Sequence, residues 1–364
     1  MLKSFKIANE EGTELNLKKI FTNVIISIVV SLAIINLVGI FFAKENPFKT
    51  IRSLPIQTLL LLILILLIDY LLHALRLLIV VRSMGHKITF LQAFESMFFN
   101  IYFSLVTPMS IGGQPFQIYH LIKLGVTTYD ATNIVITRTF VGIMVMFTVN
   151  IMFIQKVLSV LRGSLGLTLV VFGFTVTIVI SLLGFFGFIN KNFVKKVFLL
   201  INKVIKSKKV QEKEQATLEW VEKMSESTKI LFFKNYWALI SDLVIGVIAS
   251  SLGPLILKIS VESFSKNSYP LSLIWGIVMM LNTIVFYIPT PGSSGGIEGV
   301  YQLVFSHIYE PRAVLGGIVV LRLLTYYLIV LIGTLLVWKF TRFRDELNIS
   351  NNINNIENVK NSQN

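Results

Sequence analysis

Cysteine is missing altogether from this 364-residue chain, which excludes disulfides and thiolate metal sites. Charge is scarce as well: 14% of residues are Asp, Glu, Lys or Arg, against roughly a quarter in soluble domains. The four histidines, His73, His86, His120 and His307, show no HExxH or comparable metal-ligand spacing. "GSSGG" at 292–296 is followed by no Gly-Lys-[Ser/Thr] and preceded by no strand pattern, so it is not a nucleotide phosphate loop. No soluble stretch is long enough to house a Ser/His/Asp set, and no catalytic domain is visible. Acidic residues are outnumbered 19 to 33, giving a net charge of +14. The Lys and Arg residues fall in short segments between apolar runs, as topology determinants and lipid-headgroup contacts do. Neither a nucleic-acid partner nor a cofactor is expected.

What is abundant is apolar length. Hydrophobic residues make up 54% of the chain and occur in long unbroken runs, whereas a β-barrel alternates over short segments. The fold class is therefore an all-α polytopic integral membrane protein. Full spans are expected at about 20–43, 54–81, 130–156, 163–188, 235–257 and 312–340, each long enough to cross about 30 Å of hydrocarbon. The first run is longer than a signal-peptide core and lacks a small-x-small cleavage site, so it is expected to be retained. Two further stretches, 88–106 and 271–289, each run into a Pro/Gly/Ser break and then a shorter helix. Residues 1–344 form one transmembrane domain on this reading, and the Asn-rich tail 345–364 is a disordered end.

Basic residues orient the set. Lys3, Lys6, Lys18 and Lys19 precede the first span, Arg82 and Lys87 lie in a turn, eleven lysines crowd 190–234, and Lys339, Arg342 and Arg344 follow the last span. All four segments fall in the cytoplasm, with both termini, if each broken stretch is re-entrant and leaves by the face it entered. The loop stretch "NFVKKVFLLINKVIKSKKV" has the period of an amphipathic helix on an anionic membrane surface; a plain topology-setting linker accounts for it equally.

The breaks are two copies of one motif. "TPMSIGGQPF" (107–116) and "TPGSSGGIEG" (290–299) share Thr-Pro, Ser and Gly-Gly at a constant offset of 183 residues, 290 − 107. Each copy is followed by a span carrying an arginine (Arg138, Arg322) and preceded by one carrying an aspartate (Asp69, Asp242). The units 54–156 and 235–340 are thus expected to be inverted repeats, as in transporters that alternate access around a midplane site. Irregular backbone is tolerated at membrane depth only inside protein or along a wet cavity. Glycines there permit close approach, and the short helix that follows offers free N–H groups to an anion such as a phosphate. The candidate headgroup residues are Thr107, Ser110, Gly112, Gly113, Gln114, Thr290, Ser293, Gly295, Gly296, Glu298, Arg138 and Arg322. Kinks in packed helices are the competing explanation of the same motifs.

Intramembrane charges are costly and should pair in the interior. Asp69, His73 and Arg76 share one helical face by their i, i+4, i+7 spacing. The repeat suggests Asp69 with Arg138 and Asp242 with Arg322, as register-fixing pairs or as part of a phosphate site. Glu298 is expected to meet a cationic headgroup or relay a proton.

The paired motifs, with Arg138 and "LRLLTYYL" around Arg322, resemble the lysylphosphatidylglycerol synthase transmembrane (flippase-like) family over about 20–340. The resemblance implies a bacterial inner-membrane domain that moves an aminoacylated phosphatidylglycerol, a related anionic phospholipid or a polyprenyl-linked lipid between leaflets. It also implies a possible partner: in bifunctional members a fused synthase transfers lysine from lysyl-tRNA to phosphatidylglycerol, which confers resistance to cationic peptides. The alternative reading is a phosphatidylglycerol lysyltransferase or its membrane subunit, working with a separately encoded synthase. Only a short polar tail follows the last span, so this chain is not expected to aminoacylate alone. Met109-Ser110, Ser293-Ser294 and Gln114 depart from the family pattern, which bears on the headgroup.

Overall fold

A computed structural model describes residues 17–40, 54–161, 228–285 and 288–337, with isolated positions between 168 and 222. The expected span 163–188, the amphipathic stretch after 190, most of the basic loop 190–234 and the tail 345–364 lie outside the described residues. So do Lys3, Lys6, Lys339, Arg342 and Arg344.

Every regular element described is helical: α1 Leu17–Val38, α2 Ile56–Ser83, α3 Phe90–Val106, α4 Gly113–Lys123, α5 Thr128–Leu161, α6 Tyr236–Ala249, α7 Leu252–Glu262, α8 Leu271–Val285, α9 Gly296–Phe305 and α10 Pro311–Arg322. Four helical stretches are long and apolar enough to cross a membrane: Ile56–Ser83, Thr128–Val160, Tyr236–Glu262 and Pro311–Val337. They coincide with four of the six expected spans. α1 coincides with a fifth, and its strongly apolar part, Val24–Leu37, is shorter. The outer face of α2 shows Leu60, Leu64, Leu67 and Leu71 uncovered, the pattern of a helix whose solvent is lipid.

Local chemistry sets the boundaries. Thr89 caps α3 by accepting the Gln92 amide, and the Gln92 side chain accepts the Thr89 amide in return. Pro311 opens α10 at a position where its missing N–H costs nothing. The span expected at 235–257 is two helices, α6 and α7. Pro254 is the reason: its ring would clash with the carbonyl four residues earlier, at Ser250, so the helix breaks there and restarts with Pro254 in its first turn. Ser250 takes up the slack, its hydroxyl donating to the Val247 carbonyl and accepting from the Trp275 indole at 3.2 Å. The last span contains a single π turn, Leu323–Tyr327, directly after Arg322.

Both motif copies break the helix and fold it back. In the first, Asn100 donates to Gln117 and Gly113 lies against Ser104, an antiparallel register of α3 on α4. In the second, Tyr301 donates to Asn282 and Gly296 lies against Ile288 and Val285, bringing α9 back along α8. The two tips meet: Pro108 and Pro291 form an isolated antiparallel β-bridge. These prolines occupy equivalent positions in the two copies. An antiparallel bridge between equivalent residues is itself locally two-fold. The halves also interlock, because α6 of the second half packs against both α2 and α5 of the first.

Close helix contacts rest on glycines. A Cβ on Gly317 of α10 would lie 2.7 Å from the Val261 backbone nitrogen of α7, and one on Gly113 would lie 2.5 Å from the Asn100 carbonyl oxygen. Gly142 of α5 has nothing within 4 Å. Gly317→Ala and Gly113→Ala are therefore expected to destabilise by about 1–3 kcal/mol through overpacking, while Gly142→Ala is neutral or slightly stabilising. Thermal denaturation of the detergent-solubilised protein measures this. Equal midpoints for all three variants would show that the close approaches do not hold the helices together.

Candidate functional site

The tips are built alike. Residues 109 and 110 in the first copy have φ of 54° and 56°; residues 292 and 293 in the second have 59° and 51°. In each, the Ser amide donates to the Thr carbonyl (Ser110 to Thr107, 3.3 Å; Ser293 to Thr290, 3.2 Å), and the next amide donates to the Pro carbonyl. Two successive left-handed residues make a tight turn of the I′ kind, which for Met109, Ser110 and Ser293 is strained backbone. Glycine stands at 292 for a second reason: a Cβ there would lie 2.3 Å from the Tyr326 ring. Met109, at the equivalent place, is 42% exposed and has no such neighbour to clear.

Three of the four motif glycines, Gly112, Gly113 and Gly296, lie close against the chain's own atoms, while a Cβ on Gly295 would have Ile34 Cδ1 at 3.1 Å. A Cβ on Gly112 would meet the Thr107 side chain at 2.6 Å, and Gly113 sits on α3 as described. Thr107 is pinned, its hydroxyl donating to the Phe103 carbonyl at 2.7 Å and accepting the Gly112 amide at 2.9 Å. In the second copy Thr290 donates to the Ser294 carbonyl at 2.7 Å. The Gly295 amide donates to Glu298 Oε2 at 2.8 Å, and the amides of Gly296 and Ile297 go to the Ser293 carbonyl. The start of α9, expected to offer free N–H groups to an anion, is thus closed internally.

Arg322 closes it further. The guanidinium is 1% exposed and grips Glu298 in a fork, Nε to Oε1 and Nη2 to Oε2, each at 2.8 Å. It also donates to the Gly292 carbonyl at 2.9 Å and the Ser293 carbonyl at 3.2 Å. Glu298 accepts a further bond from Ser31 at 3.0 Å, and Ser31 accepts one from Tyr327 at 2.8 Å. The π turn swings Tyr326 under the guanidinium, 5.2 Å from ring centre, and presents Tyr327 to α1. The expected Asp242–Arg322 pair is not formed, because Glu298 lies on the helix that begins at the tip and reaches Arg322 first. Both Glu298 oxygens are engaged within the protein.

The first half is arranged differently. The residue equivalent to Glu298 by the 183 offset is Pro115, so its tip has no acid for Arg138. Gln114 instead donates to Thr139 at 3.1 Å, beside Arg138 on α5. Asp242 comes across from α6 and is completely buried; its Oδ1 takes Arg76 Nε at 2.7 Å and has Arg138 Nε at 3.6 Å. The expected Asp69–Arg138 pair is also not formed. Asp69 lies 3.5 Å from His73 Nε2, and His73 Nδ1 is 3.2 Å from Arg76 Nη1. Arg138 Nη2 reaches only the His73 carbonyl, at 3.5 Å. Asp69, His73, Arg76, Asp242 and Arg138 thus form one chain of charge from α2 through α6 to α5.

Sequence reasoning missed Ser31, which gave no periodic or motif signal, and took Tyr327 only as part of "LRLLTYYL" without a role. It also missed a polar seam between α3 and α4. Ser96, Asn100 and Ser104, at i, i+4, i+8, face Gly113 and Gln117, and that spacing within an apolar stretch was a readable signal.

Breaking the Arg322–Glu298 fork from one side strands a buried charge. Glu298→Gln is expected to destabilise by roughly 3–5 kcal/mol, and Ser31→Ala by about 1–3 kcal/mol through the lost bond to a carboxylate. Combining Glu298→Gln with Arg322→Gln should recover much of the first loss. Denaturation midpoints of the three variants test this, and an additive double variant would show that the pair is not coupled.

Comparison with known proteins follows the same boundaries. Residues 24–333 match the family described as the lysylphosphatidylglycerol synthase TM region. A UPF0104 membrane protein of Archaeoglobus fulgidus is 26% identical over 319 residues, covering 85% of this chain and 94% of that protein. The matched residues take in α2 to α10, both tips and both charge clusters, and the chain belongs to the lysylphosphatidylglycerol synthase transmembrane-region family.

Proposed function

We propose that this chain is a flippase-like lipid transporter, moving the headgroup of an anionic or aminoacylated phospholipid, or a polyprenyl-linked lipid, between leaflets. The observation that carries this reading is the bridge between Pro108 and Pro291, two equivalent residues at the tips of two folded-back helix pairs. On this reading the hairpins are re-entrant, enter from opposite faces and meet near the midplane. α4 and α9, at 11 and 10 residues, are each about 15 Å long, half a hydrocarbon layer. An inverted pair meeting at its tips is the geometry in which one repeat rocks against the other around a fixed centre. The protein lies in the cell membrane with both termini cytoplasmic.

The centre is chemically unequal. The Arg322 side is closed by its own carboxylate and carbonyls, and the Arg138 side has two arginines sharing Asp242. Movement of a phosphate past the centre is favoured on the Arg138 side, where Arg138 Nε has no hydrogen-bond partner among the described residues. The family's description also supports a second role, as the membrane partner of a separately encoded lysyl-transferring synthase.

With no native cysteine, single cysteines report topology cleanly. A cysteine at Met109 is expected to label from the cytoplasmic face and one at Gly299 from the opposite face. Reconstitution of the full chain into liposomes with headgroup-labelled phosphatidylglycerol should give leaflet exchange well above protein-free vesicles. Labelling of both positions from one face would remove the inverted arrangement, and exchange no faster than in empty liposomes would remove the transport reading.

A further inference from the structure

Asp242 and Arg138 form an ion pair, yet each keeps one buried atom that no hydrogen bond satisfies among the described residues. Asp242 Oδ2 and Arg138 Nε are both buried without a hydrogen-bond partner. Their residues approach through the other carboxylate oxygen at 3.6 Å, beyond hydrogen-bond range. One atom only accepts and the other only donates. Every other charged group at this point is engaged: Arg76 with Asp242 and His73, and His73 with Asp69. A buried donor or acceptor left without a hydrogen bond is costly, and it persists where the surroundings over-determine it, commonly at a binding site.

The surroundings here do over-determine it. Gly246, one turn beyond Asp242 on α6, gives its missing side chain's place to Arg76; a Cβ would lie 2.8 Å from Nη2 and 2.9 Å from Cζ. Arg76 is thereby held on Oδ1, and Oδ2 is left facing away from it. Arg138 is held from the other side through the His73 carbonyl, and Thr139 beside it is tied to Gln114 at the first tip. At one rim of the cluster the side chains of His73 and Asp69 are 27% and 18% exposed.

We propose that Arg138 Nε and Asp242 Oδ2 form a headgroup subsite for a phosphodiester that carries an O–H or N–H donor close to its phosphate. The phosphate oxygen accepts from Arg138, and the neighbouring hydroxyl or ammonium donates to Asp242. The unbonded Nε–H of Arg138 suits a phosphate oxygen, and the free carboxylate oxygen makes the donor a requirement. Glycerol and primary-amine headgroups meet both conditions. A choline headgroup has no donor, and a simple alkyl phosphodiester has only the phosphate. The subsite joins the two repeats, since Arg138 belongs to the first and Asp242 to the second. Identifying the ligand as a lipid rests on the transporter reading; the donor–acceptor pair does not.

The test is direct binding to the full-length protein in dodecyl maltoside, by calorimetric titration with dioctanoyl lipids. Phosphatidylglycerol and phosphatidylethanolamine are expected to bind about tenfold tighter than phosphatidylcholine or phosphatidylmethanol, the worth of one hydrogen bond to a charged group. Arg138→Gln should fold, because Arg76 still neutralises Asp242, and should lose that preference. Arg138→Lys keeps the charge without the fork, and is expected to lose it too. Equal affinity for all four lipids, or an unchanged preference in either folded variant, overturns the subsite. Water-soluble glycerophosphoglycerol should compete poorly; competition as strong as the lipid's would overturn the lipid source. Selective binding without exchange in liposomes would end the transporter reading and leave the subsite standing, whereas exchange without selectivity would end the subsite alone.

Discussion

A backbone that leaves its helix inside hydrocarbon must find partners for its N–H and C=O groups within the protein, because no water is there to supply them. If the tips lie at membrane depth, as proposed, both answer that constraint. Each closes its own turn with two amide bonds, and each borders the other across the Pro108–Pro291 bridge. At the second tip the remaining carbonyls, of Gly292 and Ser293, are taken by Arg322. A guanidinium brought there needs a counter-charge, which Glu298 supplies from the first turn of α9. The carboxylate then draws Ser31 of α1 and, through it, Tyr327. The π turn after Arg322 is part of the same solution, since it places the two tyrosines on either side of the network.

The two halves repeat the backbone more faithfully than the electrostatics. Their tips share turn, dihedral signs and hydrogen bonds, yet only the second has an acid in the helix that follows. Where Glu298 stands in one half, Pro115 stands in the other. Arg322 is neutralised locally and sealed. Arg138 depends on Asp242 from the opposite half and shares it with Arg76. The sealed half has the character of a fixed frame. The shared half couples α2, α5 and α6 through one carboxylate, so a ligand that engages it acts on three helices at once. That difference is the physical basis for proposing headgroup contact at Arg138 rather than at Arg322.

Much of this was legible before any coordinates. The apolar runs at 54–81, 130–156, 235–257 and 312–340 are helices long enough to span, and both Thr-Pro…Gly-Gly motifs break helices where the breaks were expected. Length and hydrophobicity decide such features locally, because a hydrocarbon solvent leaves a chain few alternatives to the helix. The interruption of α6 and α7 was locally written too, in Pro254, although hydropathy alone ran the two together.

Helical periodicity states which residues share a face, and it does not state which helix that face will meet. Asp69, His73 and Arg76 were correctly grouped by their spacing, but the partner of Arg76 proved to be Asp242, on a helix 166 residues away. Pairing within each repeat was the natural expectation. It failed because α6 inserts between α2 and α5, and because Glu298 is closer to Arg322 than any aspartate. Of the motif glycines, Gly113 lies against α3 and Gly296 against Ile288. By itself the sequence determined a polytopic helical membrane protein, a duplicated break and a set of intramembrane charges, since each follows from the local cost of polar groups in hydrocarbon. Only the tertiary structure decided which charge neutralises which, because that depends on distances of a few ångströms between helices whose packing no local pattern encodes.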